Sequence, residues 1–201
     1  MIEYSDLELQ YAAVVRQHFL ESADVKRMVA DELSGPAARA AELISTALMN
    51  GHKMLVFGNG GSAADAQHFA GEMIGRFKIP VRAPLPVIAL TTDSTVLTCI
   101  ANDFAYEDVF SRQVEALAQP GDIVLGISTS GNSPNVLRAL QAARLRGAYT
   151  LALLGGDGGA VAAEVNLALV VPVRDTTRIQ ECHITLIHAL SELIENRLNA
   201  L

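Results

Sequence analysis

Residues 53–62, with the sequence KMLVFGNGGS, join a short apolar run to a cluster of glycines. The same uninterrupted apolar character recurs at 86–90, 122–127, 149–154 and 167–171. Strands buried on both faces have this composition, whereas half-exposed strands alternate apolar and polar residues. The pattern predicts five buried strands, the first of which is 53–57.

Helical spacing of apolar residues separates these runs at 62–77, 106–118 and 134–146, and a last helix is predicted at 177–199. Strands that alternate with helices indicate an α/β fold, with a parallel sheet and right-handed crossovers. Before the sheet, the runs 7–33 and 37–48 predict two antiparallel helices separated by Gly35 and Pro36. We therefore expect one domain over 1–201, with 1–50 as an N-terminal helical extension.

Composition restricts the classes of function. Of 201 residues 50% are apolar, which allows a sizeable core, and the net charge of −7 offers no basic surface for nucleic acid. The acidic first residues do not resemble a signal peptide, and the apolar stretch 165–173 is far shorter than the roughly 20 residues that span a membrane. We expect a cytoplasmic protein that contacts neither membrane nor nucleic acid, with Cys99 and Cys182 as reduced, mostly buried thiols.

The first glycine loop runs from Gly58 to Ser62, and Ser62 with Asp65 approximates a capping box for the next helix. Gly58, Gly60 and Ala63 also satisfy the dinucleotide pattern G-x-G-x-x-A, which keeps a nicotinamide oxidoreductase open as an alternative. The acidic residue that this fingerprint needs is missing, because Asp93 comes too late. A tight turn that binds no ligand is the other alternative.

The second loop, 128–134, reads STSGNSP and directly follows a predicted central strand. Ser133 is a typical N-cap and Pro134 a typical first helical residue. Capping explains Ser133 but not the other hydroxyls, and hydroxyls beside a helix N-terminus can hold a phosphate dianion without lysine or arginine. We therefore predict that Ser128, Ser130 and Ser133 bind phosphate.

Two helices carry candidate metal and proton-transfer residues. His68 and Glu72 are four residues apart and so share one helix face, away from the apolar stripe, where Glu72 could instead pair with Arg76. On the last helix, Gln180 and His188 flank the apolar stripe. His183 is better explained as a core histidine, and His18 and His52 have no catalytic context.

The chain resembles the sedoheptulose 7-phosphate isomerases, a family of sugar isomerase (SIS) domain proteins. The resemblance covers nearly the whole chain and is carried, in the same order, by four motifs: GNGGS at 58–62, NDF at 102–104, STSGNS at 128–133 and RIQE at 178–181. It implies a flavodoxin-like five-stranded sheet with helices on both faces. It also implies a homotetramer with active sites between subunits, and conversion of sedoheptulose 7-phosphate to D-glycero-D-manno-heptose 7-phosphate for lipopolysaccharide.

The resemblance also implies roles for individual residues. It implies a zinc site at His68, Glu72, Gln180 and His188, although glutamine is an uncommon zinc ligand. Glu72 and His188 are implied as the acid/base pair of an enediol mechanism. The implied substrate contacts are Asn59, Gly60, Gly61, Ser62, Glu72, Asn102, Asp103, Ser128, Thr129, Ser130, Ser133 and Gln180. The competing hypothesis is a non-catalytic SIS module, similar to a replication-initiator-associating factor, since a fold alone does not define a function.

Overall fold

The computed structural model describes residues 4–200 and contains a parallel sheet of five strands. The strands lie in the order β2-β1-β3-β4-β5, which is the flavodoxin-like order. Their bounds are β1 Met54–Gly58, β2 Val87–Ala89, β3 Ile123–Ser128, β4 Tyr149–Gly155 and β5 Leu167–Val171. All five predicted strands are confirmed, with ends that move by one residue at most.

Helices cover both faces of the sheet, as predicted. Seven α-helices are described: α1 Asp6–Met49, α2 Gly61–Ile74, α3 Ser94–Asp103, α4 Ser111–Leu117, α5 Pro134–Leu145, α6 Gly159–Ala162 and α7 Thr176–Asn199. Buried residues of α1, α2 and α7 form the core on one face, and those of α3, α4, α5 and α6 form the core on the other. None of these helices, within residues 4–200, has an apolar stretch long enough to cross a lipid bilayer.

The predicted pair of antiparallel N-terminal helices is wrong, because α1 is one continuous helix of 44 residues with Pro36 inside it. An internal proline removes one backbone hydrogen bond and typically costs about 3 kcal/mol. Val29 and Leu33 before the proline and Ala37 and Ala41 after it belong to the same core cluster. Packing on both sides of Pro36 therefore offsets the local preference for a break.

Local predictions failed at four further points. Helix α3 was not predicted, and the predicted helix 106–118 is divided into a 3₁₀ turn, Tyr106–Asp108, and α4. The predicted capping box of Ser62 and Asp65 is absent, because Gly60 occupies the N-cap of α2 without a side-chain cap. Cys99 is exposed, whereas Cys182 is buried as expected.

Two buried ionisable side chains on α7 predict that acid destabilises the fold. Burial lowers the pKa of His183 to about 4 although its Nε2 lies 3.0 Å from the Leu154 carbonyl oxygen. Burial opposes ionisation of Glu195, but Arg82 and three backbone N–H groups outweigh it and hold the pKa of Glu195 at about 2. Each folded-state pKa lies below its unfolded value, so stability is present at neutral pH and is lost as the pH falls.

The free energy of unfolding should fall as His183 takes up a proton between about pH 6.5 and 4, and it should fall again as Glu195 does so between about pH 4.5 and 2. Each decrease should be roughly 3 kcal/mol at most. Urea unfolding at a series of pH values measures it. His183→Gln keeps an N–H donor for Leu154 but does not titrate, so its curve should be flatter above pH 4.5. An identical pH dependence in the variant would show that His183 is not responsible.

Candidate active site

The site lies between β1 and β3, where the strand order of the sheet reverses. Adjacent strands β1 and β3 are paired from Met54 with Ile123 to Gly58 with Ile127, so their carboxyl ends meet at one edge. Ligands of doubly wound sheets bind in the crevice at this switch point. Both polar loops predicted from the sequence begin here. A cavity of about 670 Å³ opens beside His52 and Tyr149 at the amino ends of the strands. None of the predicted site residues lines this cavity.

The first loop is built by close approaches that only glycine allows. A Cβ on Gly58 would lie 2.8 Å from the Ile127 carbonyl oxygen, and Gly60 has a φ of +56°. Asn59 is held by reciprocal side-chain hydrogen bonds of 2.8 and 2.9 Å with Asn135 and by the hydroxyl of Tyr106 at 3.1 Å. The loop is therefore a rigid cradle at the start of α2. Sequence reasoning missed Tyr106 and Asn135, because neither belongs to a recognisable motif.

The second loop brings its hydroxyls together as predicted. The Oγ of Ser128 lies 2.9 Å from that of Ser133 and 3.5 Å from that of Ser130. Ser133 occupies the N-cap of α5 and Pro134 the first turn, as expected, yet the Ser133 hydroxyl contacts Ser128 and makes no cap hydrogen bond. Its hydroxyl is therefore directed to the cluster, where it can donate to a bound anion.

The structure brings His68, Glu72 and His188 together although α2 and α7 are far apart in sequence. The Nε2 atoms of the two histidines are 3.0 Å apart, and His68 Nε2 lies 3.1 Å from Glu72 Oε1. The alternative pairing of Glu72 with Arg76 is not among the ion pairs of residues 4–200. The side chains of His68 and Glu72 are 43% and 22% exposed, so the group is open to ligands on one side.

This three-residue group fits zinc. One ligand atom from each side chain lies within 4.8 Å of the others. Tetrahedral zinc with bonds near 2.0–2.1 Å holds its ligands roughly 3.3–3.5 Å apart, so small shifts from 3.0 and 3.1 Å would admit the ion. Two imidazoles and a carboxylate are also ligands that catalytic zinc sites use, with one position left for water or substrate.

Gln180, the fourth predicted ligand, lies near the start of α7, away from the group of His68, Glu72 and His188. A Cβ on Gly61 would be 2.3 Å from its Nε2, so the amide packs against the first loop. Eight residues separate it from His188, which is about 12 Å along the helix axis. Its position favours the predicted substrate contact, and its role as a metal ligand stays a prediction.

Asn102 and Asp103, also predicted to contact substrate, are exposed at the end of α3. Asn102 donates a hydrogen bond of 2.8 Å to Asp103, and Cys99 Sγ lies 3.4 Å from the same carboxylate. These bonds lower the pKa of Asp103. Within residues 4–200 the two side chains bond to this local cluster and not to the serine loop, so their substrate contact stays a prediction.

Two charged side chains at the site were not among the predicted site residues. Arg174 lines a cavity of about 200 Å³ together with Thr129 and Ser130, which brings a cation beside the hydroxyl loop. Asp65, one turn before His68, has a buried Oδ2 without a hydrogen-bond partner in the described part of the chain. Burial raises the pKa of Asp65 and the neighbouring His68 opposes that shift. Asp65 could have been found from the sequence, because it lies three residues before His68 and therefore on the same side of the helix.

Comparison with known proteins gives the class of this protein. A family model described as SIS domain matches residues 17–155, so the chain is a SIS-domain protein. The chain is 53% identical to the phosphoheptose isomerase of Aquifex aeolicus over 181 residues, which cover 90% of this chain and 94% of that one. It is 58% identical to the phosphoheptose isomerase of Geobacter sulfurreducens over 167 residues, covering 83% and 88% of the two chains.

Solved structures agree with these relatives. The phosphoheptose isomerase of Neisseria gonorrhoeae matches with a TM-score of 0.87 at 47% identity, over 92% of this chain and 99% of that one. That of Francisella tularensis matches with a TM-score of 0.89 at 36% identity, over 92% and 98%. This chain belongs to the phosphoheptose isomerase family.

Proposed function

We propose that this chain interconverts an aldose and a ketose, taking sedoheptulose 7-phosphate to D-glycero-D-manno-heptose 7-phosphate in heptose synthesis for lipopolysaccharide. The observation that carries the proposal is the group of His68, Glu72 and His188. A carboxylate and an imidazole whose ligand atoms lie within 4.8 Å of each other, as those of Glu72 and His188 do, can act as acid and base near neutral pH. The serine loop at the carboxyl end of β3 supplies hydroxyls for the phosphate.

The proposed reaction needs two proton transfers between neighbouring carbons. One group removes a proton from C1 of the ketose while the C2 carbonyl oxygen takes up a proton, which gives a cis-enediol. A proton is then returned to C2 while the C1 hydroxyl loses its proton and becomes the aldehyde oxygen. We assign these transfers to Glu72 and His188. Ser128, Ser130 and Ser133 hold the phosphate, while Asn59, Ser62, Thr129 and Gln180 orient the sugar.

Zinc is the metal that this group suits best, and His68, Glu72 and His188 would hold it, with Gln180 as the predicted fourth ligand. When bound, a divalent metal polarises a carbonyl and stabilises negative charge that develops on oxygen. Asp65 carries its carboxyl group one turn before His68, close to these ligands.

We expect His68→Ala to lower the affinity for zinc by at least about 100-fold, because it removes one of three clustered ligands. Titration of metal-free protein with zinc in the presence of a competing chelator measures the change. His52→Ala is the matched control, since His52 lies beside Asp122 at the other edge of the sheet. Equal zinc affinities in the two variants would contradict the assignment.

Two alternatives are separated by binding and turnover. A non-catalytic SIS module would bind the sugar phosphate without converting it, and it would not need His68, Glu72 and His188 together. A nicotinamide oxidoreductase would bind the reduced cofactor, but Asp93 is used to cap α3 through a hydrogen bond to the N–H of Val96. Product analysis tests the first alternative, and titration with reduced nicotinamide cofactor tests the second.

We further propose a homotetramer with active sites between subunits. Every residue from Tyr4 to Glu21 is exposed, including the large apolar side chains Leu7, Leu9, Tyr11, Val14, Val15, Phe19 and Leu20. Exposed apolar surface of this extent is typical of an interface. The open side of the metal group could be closed by a second copy. Sedimentation at assay concentration tests this proposal, and a fully active monomer would overturn it.

The location in the cell and the extent of the domain remain predictions. Cytoplasmic location is expected for the sugar phosphate substrate and is tested by cell fractionation. Limited proteolysis tests whether 1–201 behaves as one unit.

A further inference from the structure

A buried ion pair joins α7 to the segment that follows α2. Glu195 is fully buried on α7, and its carboxylate accepts hydrogen bonds from the backbone N–H groups of Phe77, Lys78 and Ile79 at 3.1, 2.7 and 2.9 Å. Arg82 Nε donates to the same carboxylate at 2.8 Å, and the Arg82 side chain is only 4% exposed. We call this arrangement of Glu195, Arg82 and residues 77–79 the clamp.

The clamp also holds the end of α2. Arg82 Nη2 donates to the Glu72 carbonyl oxygen at 2.5 Å, and Nη1 donates to that of Met73 at 2.7 Å. These carbonyls belong to the last turn of the helix, which has no intrahelical donors for them. The guanidinium therefore fixes the backbone of Glu72 itself, and its charge suits the negative end of the helix.

The third contact of the clamp is with the ring of His188. Phe77, whose N–H is bound by Glu195, stacks on the His188 imidazole with ring centroids 5.7 Å apart and an angle of 23° between the planes. One buried carboxylate thus controls both sides of the proposed proton-transfer pair. It acts on Glu72 through Arg82 and on His188 through Phe77.

We infer that Glu195 and Arg82 are positioning residues, which set the distance and orientation of Glu72 relative to His188. This inference rests on the proposed function and deepens it. The serine loop joins β3 to α5, and among residues 4–200 no hydrogen bond or ion pair links the clamp to it. Loss of the clamp should therefore impair turnover and leave phosphate binding intact, which a merely structural ion pair would not do.

The chain contains a matched control at the residue before β3. Asp122 is also buried and also accepts hydrogen bonds from a cation and from backbone N–H groups. Its partners are Lys53 Nζ at 2.6 Å and the N–H groups of Lys53 and Gln119 at 3.0 and 2.8 Å. Asp122→Asn and Glu195→Gln make the same chemical change, so each should lower the thermal midpoint.

We expect Glu195→Gln to lower kcat by about 10-fold or more with KM within about twofold, since displacements of about 1 Å at catalytic groups cost up to about 100-fold. Asp122→Asn should keep kcat within about twofold. Zinc affinity of the metal-free proteins is a second readout, and it should fall at least about 10-fold in Glu195→Gln only, because the ligand positions are disturbed. Equal kcat and equal zinc affinity in the two variants would overturn the inference.

Arg82→Lys keeps a cation beside Glu195 but lacks the planar fork that reaches the Glu72 and Met73 carbonyls. If Glu195→Gln does not fold, Arg82→Lys is compared with Asp122→Asn instead. We then expect the same decreases in kcat and zinc affinity for Arg82→Lys only. If wild-type protein converts no sugar phosphate, the proposed function fails. The zinc comparison then still decides whether the clamp positions Glu72 and His188.

Discussion

Glu72→Gln should lower kcat for sedoheptulose 7-phosphate by roughly 10²- to 10⁴-fold, because a proton-transfer group contributes about that factor. Substrate binding should be largely intact, since the serine loop is unchanged. His188→Ala should show the same pattern, because it removes the second proton-transfer group. Steady-state kinetics, with folding checked by circular dichroism, measures both effects.

The control for Glu72→Gln is Glu42→Gln. Glu42 also lies on a helix and pairs with Arg39 at 2.7 Å, but both side chains are at least half exposed and lie at the other edge of the sheet. An exposed pair contributes about 1 kcal/mol or less, so this variant should keep normal turnover. Near-normal rates in both Glu72→Gln and His188→Ala would refute the assigned mechanism.

Ser130→Asp should raise KM for the sugar phosphate at least about 100-fold. Ser130 is exposed, and its Oγ belongs to the hydroxyl cluster of Ser128 and Ser133. A carboxylate there would lie within a few ångströms of the phosphate dianion, and two unit charges 4 Å apart repel by about 4 kcal/mol at a protein surface. Initial-rate measurements over a range of substrate concentrations give KM.

Ser130→Asn separates charge from size, because asparagine has the shape of aspartate without its charge. It should raise KM far less than Ser130→Asp does. Increasing the salt concentration should partly relieve the defect of the aspartate variant, since ions screen the repulsion. Wild-type affinity in Ser130→Asp would show that the loop does not hold the phosphate.

The sheet could be predicted because each strand carries its own signal. Uninterrupted apolar runs marked all five strands, and β5 was predicted with the bounds that the structure has. The continuity of α1 could not be predicted in the same way, because it depends on contacts that residues on both sides of Pro36 make with α7. Helix α3 was missed since Thr95, Val96 and Thr98 give it a low helix propensity, which its Asp93 cap offsets.

The site was predictable only where its parts are local. The spacing of His68 to Glu72 and the hydroxyls of residues 128–133 are visible in the sequence. The contact of His68 with His188 spans 120 residues and follows from the packing of α2 on α7. Glu195 gave no signal at all, because its partners are backbone N–H groups and an arginine in an irregular segment.

The most direct test of the central claim is product formation from sedoheptulose 7-phosphate by the purified zinc-loaded protein. We predict that nuclear magnetic resonance will show D-glycero-D-manno-heptose 7-phosphate accumulating until the ratio of product to substrate is constant. The Glu72→Gln protein should form this product at least about 100-fold more slowly. Binding of the sugar phosphate by zinc-loaded wild-type protein without any product would contradict the claim, and would instead indicate a non-catalytic SIS module.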